Sequence, residues 1–217
     1  MKCWGANDRG GLGDGTTTNR LTPVDVVGLS SDVDKVQTGA QHTCAITRIG
    51  ALMCWGYNGA GQLGDGTTTD RSTPVDVLGL GAGVKAVAVG MYHTCAVTSA
   101  GGVKCWGGNG DGFLGIGAND PNLTSSVPVD VHGLGGGVID IVGGPSFNCA
   151  LRQDVWHFGE TGVVCWGHNQ YGVLGVGTSV RESTPVNVRL PGAVRSIALA
   201  GSYSASTGSN LVPCALL

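Results

Sequence analysis

A chain of 217 residues with 40 glycines and only 12% charged residues is sized for one domain, and that much glycine excludes a largely helical architecture. Hydrophobic residues at 41% suffice for a core, which excludes wholesale disorder. The net charge of -3 provides no basic face for phosphates, so nucleic acid is not an expected partner.

No apolar stretch approaches the roughly 18 residues that cross a bilayer, so no membrane span is expected. The opening Met1-Lys2-Cys3-Trp4 also lacks the apolar region of a signal peptide. Eight cysteines on a background poor in Lys and Glu point to an oxidising setting, extracellular, periplasmic or at a cell surface.

The chain repeats itself. CWGANDRGGLGDGTTTNRLTPVDVVGL from Cys3 recurs as CWGYNGAGQLGDGTTTDRSTPVDVLGL from Cys54, then as CWGGNGDGFLGIG from Cys105 and CWGHNQYGVLGVG from Cys165. Residues 1–217 thus read as a single domain of four copies, with repeats starting near Cys3, Cys54, Cys105 and Cys165.

Each copy offers four short strands. PVDV at Pro23, Pro74 and Pro128, or PVNV at Pro185, reads as the first strand of the unit, with its proline at a strand start or edge. A second strand starts at Val33, Val84, Val138 or Val194 after a glycine turn. HTCAIT at His42 or HTCAVT at His93 is the third, and the CWG segment is the last. Between those two, glycine-containing turns fit tight hairpins. The expected fold class is all-β, a β-propeller of four-stranded antiparallel blades, with a stacked solenoid as the weaker alternative.

The two ends read as complementary. KCWG supplies the last strand of a unit and PCALL the strand that precedes it, so one blade is expected to be closed by both termini. Failing that, the same ends would pair between molecules, as a larger ring or a filament, or the chain would be part of a longer propeller.

Cysteines fall at matching hairpin positions. Cys44 with Cys54 and Cys95 with Cys105 lie opposite each other across a turn, at a separation that a disulfide accepts. By analogy Cys149 pairs with Cys165, and Cys214 with Cys3.

The pattern of HTCA, a turn, CWG, then Asn, Gly and LG, and later PV, resembles the regulator of chromosome condensation repeat family over essentially the full chain. Copy three departs from it with Phe147 in the histidine slot and a longer hairpin loop, RQDVWHFGETG; copy four has a stretched approach to Cys214. The resemblance implies a propeller, usually of seven blades, that binds partners. Guanine-nucleotide exchange on a small GTPase is known in the family, but it goes with more blades and, for chromatin, a basic tail.

The recurring Trp4, Trp55, Trp106 and Trp166 read as packing between blades, and His42 and His93 as hydrogen-bonded core residues. Asp14 and Asp65 in LGDGTTT read as turn residues, because Ile116 and Val176 hold that slot in the other copies. Neither a nucleophile nor an acid/base pair stands out, so an enzyme, a cofactor and a metal are not expected.

Residues that differ between copies are better guides to partners. Tyr57, Tyr92, His168 and Tyr171, with Trp156, His157 and Phe158 of the longer loop, are the expected binding residues. Asn122-Leu123-Thr124 also forms a glycosylation sequon. The expected function is non-catalytic recognition of a protein or surface ligand by a secreted propeller. The alternative is a structural subunit of a fibre or lattice built by self-association.

Overall fold

The computed structural model describes residues 1–117, 123–153, 161–200, 203–204, 208–209 and 212–217, and every element in them is a strand or a turn. Three complete blades occupy the middle of the chain. The first is β3 (Val33–Thr38), β4 (His42–Thr47), β5 (Leu52–Gly56) and β6 (Arg71–Asp76), hydrogen-bonded in that order. The second is β7 (Val84–Val89), β8 (His93–Thr98), β9 (Val103–Gly108) and β10 (Thr124–Asp130). The third is β11 (Val138–Gly143), β12 (Phe147–Gln153), β13 (Thr161–Gly167) and β14 (Glu182–Asn187). All neighbours are antiparallel.

Strand membership differs from the sequence reading in one respect. The PVD strand belongs with the CWG strand before it, not with the strand after it: Cys54 faces Val75, and Cys165 faces Val186. A register shift next to each CWG glycine accommodates the proline strand at the outer edge, where the missing N–H of proline costs no ladder bond.

Each blade alternates small and branched side chains on its faces, so neighbouring blades interdigitate. Ala86, Ala88, Val97 and Val103 of the second blade pack with Ile141, Ala150, Val164 and Trp166 of the third. Trp106 of the second packs with Leu63, Val77 and Leu80 of the first. The indole N–H of each buried tryptophan reaches back to the loop of the preceding repeat: Trp55 Nε1 donates to Gly11 O, Trp106 Nε1 to Gln62 O and Trp166 Nε1 to Phe113 O, each at 2.9 Å. Gly64 lets that loop come close. Its φ is +73°, and a Cβ there would lie 2.7 Å from Trp106 Nε1.

The ring is not closed by the termini. Among the described residues β1 (Lys2–Gly5) pairs only with β2 (Arg20–Asp25), and β15 (Ser196–Ala200) only with β18 (Val212–Leu216), so two half-blades flank the three complete ones; a small ladder, β16 (Tyr203–Ser204) with β17 (Gly208–Ser209), falls between β15 and β18 in the chain. Cys3 and Cys214 are both free thiols, which corrects the expectation of a bond between them. Trp4 corrects a second expectation: it is 63% exposed, whereas Trp55, Trp106 and Trp166 are fully buried. β1 and β18 lie in separate sheets, so Cys3 does not face Cys214, and no loop among the described residues bonds to the Trp4 indole as Gly11, Gln62 and Phe113 bond to its counterparts.

Candidate functional site

The loops that follow each CWG strand gather on one rim. An asparagine opens each loop and is almost wholly buried: Asn7, Asn58, Asn109 and Asn169. Its Oδ1 accepts the backbone N–H of the leucine five residues on, from Leu12, Leu63, Leu114 and Leu174 at 2.9 to 3.1 Å. In Asn58 the Nδ2 donates to the carbonyls of Thr67 and Thr69 at 3.1 Å and to Asp65 Oδ1 at 3.2 Å, which ties both ends of the loop to one side chain.

The aspartates of LGDGTTT complete this tie. Asp65 Oδ1 accepts from Thr67 N at 3.0 Å and Thr67 Oγ1 at 2.7 Å, and its Oδ2 accepts from Arg71 Nε at 2.9 Å. Asp14 has the same partners in Thr16 and Arg20. Burial opposes ionisation of Asp14, but the Thr16 hydroxyl, the Arg20 guanidinium and the Thr16 N–H outweigh it and hold the carboxyl down at about 2. These carboxylates are saturated by the chain itself. Their role is the turn that the sequence suggested, braced by an arginine.

Across the rim, neighbouring repeats meet through their variable residues. The Arg9 guanidinium lies 5.3 Å from the centroid of the Tyr57 ring and its NH1 lies 3.4 Å from Asp70. Tyr57 in turn meets Tyr92 edge-on, with centroids 6.5 Å apart. Two repeats further on, Asp111 holds the slot of Arg9 with the opposite charge: it accepts from His168 Nδ1 at 3.1 Å and lies 3.3 Å from Arg181 NH1. The structure thus brings Tyr57 and Tyr92 together and places His168 in a second cluster. Tyr171 stands 66% exposed beside the last half-blade. Trp156, His157 and Phe158, and the sequon residue Asn122, lie outside the described residues.

Sequence reasoning did not single out Asp70 and Arg181. The signal was present in the spacing, because Asp70 and Arg181 each stand 12 residues after the loop asparagine, at Asn58 and Asn169.

His42 and His93 sit inside the blades, as expected of core residues. Burial pushes His42 down to about 3, with the nearby His93 adding to the effect, and pushes His93 down to about 4 against a hydrogen bond to Asn148. Both rings are therefore neutral at ordinary pH. A groove of about 540 Å3 runs along the innermost strands, lined by Thr38, Val87, Gly90, Met91, Gly144 and Pro145 among others, none of them titratable. No group of three or more His, Cys, Asp or Glu is arranged to hold a metal among the described residues.

Three of the four expected disulfides are present, Cys44–Cys54, Cys95–Cys105 and Cys149–Cys165, each between directly opposed residues of a hairpin. No helix of the described residues is long and apolar enough to cross a membrane.

Four-stranded blades fanned around inner strands, latched by an indole to the neighbouring loop, define a repeat protein of the β-propeller class. The chain belongs to the regulator of chromosome condensation (RCC1) repeat family, whose model matches residues 3–46, 50–97 and 162–206. It is 34% identical over 194 residues to the ultraviolet-B receptor UVR8 of Arabidopsis thaliana, covering 88% of this chain and 42% of that protein. It is 33% identical over 191 residues to the human E3 ubiquitin-protein ligase HERC2, covering 84% of this chain and 4% of that one. Among solved structures, yeast RCC1 (Prp20) bound to Kap60 superposes with a TM-score of 0.70 at 19% identity, over 88% of this chain and 44% of that one. Human WBSCR16 does so with 0.60 at 19% identity, over 89% and 63%. The chain therefore spans less than half the length of UVR8 and of the yeast RCC1 chain.

Proposed function

We propose that this chain is a non-catalytic recognition module that binds a protein or surface ligand through the rim carrying Arg9, Tyr57, Tyr92, Asp111, His168 and Tyr171, in an oxidising compartment outside the cytoplasm. The carrying observation is a division of labour within the repeat. Positions that recur, the CWG tryptophans of the complete blades, the loop asparagines and the paired cysteines, are buried and bonded within the fold, whereas the rim positions vary in charge and aromaticity from copy to copy. Variation on a rigid scaffold is how a repeat protein builds a specific surface.

The relatives support the reading in kind. Solved RCC1 structures describe binding of Kap60, and of Gsp1p and histones, and UVR8 is a receptor. Three disulfides support the compartment, since such bonds persist where thiols are not kept reduced.

The test is capture from the native milieu with the wild-type chain, Tyr57→Ala, Tyr171→Ala and Ile49→Ala, the last an exposed hairpin-turn residue distant from the rim loops. A partner held by wild type and Ile49→Ala but lost by either tyrosine variant supports the rim. Equal capture by all four removes it. Alkylation of thiols trapped in living cells tests the compartment: modification of Cys44 or Cys95 there would remove the extracellular reading.

A further inference from the structure

We propose that two copies of this chain join end to end, the free edge of β1 in each pairing with the free edge of β18 in the other, to close a single ring of eight blades. The two half-blades are the two halves of one blade. In β18, Cys214 faces Ala198, as Cys44 faces Gln37 and Cys95 faces Ala88. In β1, Cys3 faces Val24, as Cys54 faces Val75. Apposed in that register, β18 and β1 set Cys214 opposite Cys3, the pairing that each complete blade makes with a disulfide.

Side chains at both edges are unfinished in matching ways. Trp4 is 63% exposed and its indole has no hydrogen bond among the described residues, while its three counterparts are buried against a loop carbonyl. The carbonyl in the matching slot of the last repeat is that of Val173, which likewise has no partner among the described residues. Trp4 on Val173 would repeat the latch already made three times. Tyr171 holds the slot of Arg9 and Asp111, and would stand over Ala6 as they stand over Tyr57 and His168. Val212 and Leu216 of β18, 58% and 61% exposed, would be covered in the same step.

Geometry favours a second copy as the occupant. β1 and β18 lie in separate two-stranded sheets, with no ladder between them in one copy. The chain superposes on 44% of the yeast RCC1 chain, so one copy amounts to about half of such a propeller and a second supplies a comparable share. Eight blades lie within the range that propellers reach. Each new disulfide forms when the thiols of Cys3 and Cys214 give two electrons and two protons to one molecule of a small disulfide such as oxidised glutathione, which leaves as two thiols.

A mixture of unlabelled and nitrogen-15-labelled chain, incubated with oxidised glutathione and then digested, reads the partner directly. About half of the linked Cys3–Cys214 peptides are expected to carry one light and one heavy half, in a particle of twice the 21.8 kDa chain mass that does not grow with concentration. Linked peptides that are never mixed, a monomer with both thiols free, or a mass that climbs with concentration would each overturn the closed pair. Without the thiols, Cys3→Ser/Cys214→Ser is expected still to dimerise, and adding Trp4→Ala at its exposed site is expected to raise the dimer dissociation constant at least tenfold. A monomeric double-serine chain, or an unchanged constant, would also overturn it.

Discussion

His42 donates its Nε2–H to Thr94 Oγ1 at 2.8 Å across a blade boundary, and Thr94 passes its own hydroxyl hydrogen to Gln62 O at 2.8 Å. The carbonyl of Gln62 also receives the Trp106 indole, so three side chains of two blades converge on one loop. One repeat on, His93 reaches Asn148 Oδ1 at 3.0 Å, and Asn148 reaches Phe113 O, the acceptor of Trp166. These relays couple each blade to the next.

Replacing either end of a relay should therefore cost about as much as replacing both. His42→Phe is expected to destabilise the fold by about 1–3 kcal/mol, because it leaves a buried hydroxyl short of a donor. His42→Phe/Thr94→Val should fall short of the sum of the single changes by about 1 kcal/mol in a denaturant double-mutant cycle. Strict additivity would show that the two residues do not communicate.

Acid should weaken the fold well before its carboxylates protonate. A histidine in the unfolded chain takes a proton near 6.5, whereas folding holds His42 at about 3 and His93 at about 4. Between those values the unfolded state binds more protons, so stability is full above pH 6.5 and falls as pH drops toward 4, by up to about 1.4 kcal/mol per unit for each ring. Urea midpoints measured across that range should show the slope, and His42→Phe should remove about half of it. Asp14, held at about 2, adds its own loss only at lower pH, below the ordinary aspartate value of 3.8.

The loop asparagine carries more than its size suggests. Asn58→Ala strips the Leu63 N–H of its acceptor and unties Thr67 and Thr69, and is expected to cost about 2–3 kcal/mol by thermal or chemical unfolding. Thr67→Val, which removes one hydroxyl from a partly exposed loop, should cost less than half of that. Calcium should leave the melting temperature unchanged, because Asp14 and Asp65 are already filled by threonine and arginine; a calcium-dependent rise would contradict the brace.

Breaking one hairpin bond should loosen the chain measurably. Cys44→Ser/Cys54→Ser opens a loop closed at a separation of 10 residues, for which the loss is about 2–4 kcal/mol. A melting curve with and without reductant provides the check, and the variant should respond to reductant less than the wild type does.

Much of this architecture was legible from the period of the CWG triplets and from the cysteines opposed across each hairpin, since both follow from local strand pairing. The placement of the PVD strand was not: a loop of some 15 residues separates it from its CWG partner, and nothing local says which neighbour it joins. Closure was misjudged for a related reason. Complementary edges can be read from residues, but whether they meet depends on how successive blades pack, where Trp55, Trp106 and Trp166 bond to loops 44 to 53 residues away. Two irregularities did carry readable meaning. Phe147 stands where His42 and His93 stand, and by register the next repeat offers Pro213 where they find Thr94 and Asn148, so the donor is lost together with its acceptor. Likewise Val176 replaces the loop aspartate of copy four, and Glu182 replaces its arginine.

Because every latch, relay and indole contact runs from one repeat to its immediate neighbour, the molecule should come apart like a row of linked carriages rather than a single sphere. Backbone amides of β8 and β9, coupled on both sides, would then exchange with deuterium most slowly, and those of β1 and β18 fastest. Docking those outer edges onto another surface would slow exchange far along the row of repeats, without any new contact to its centre.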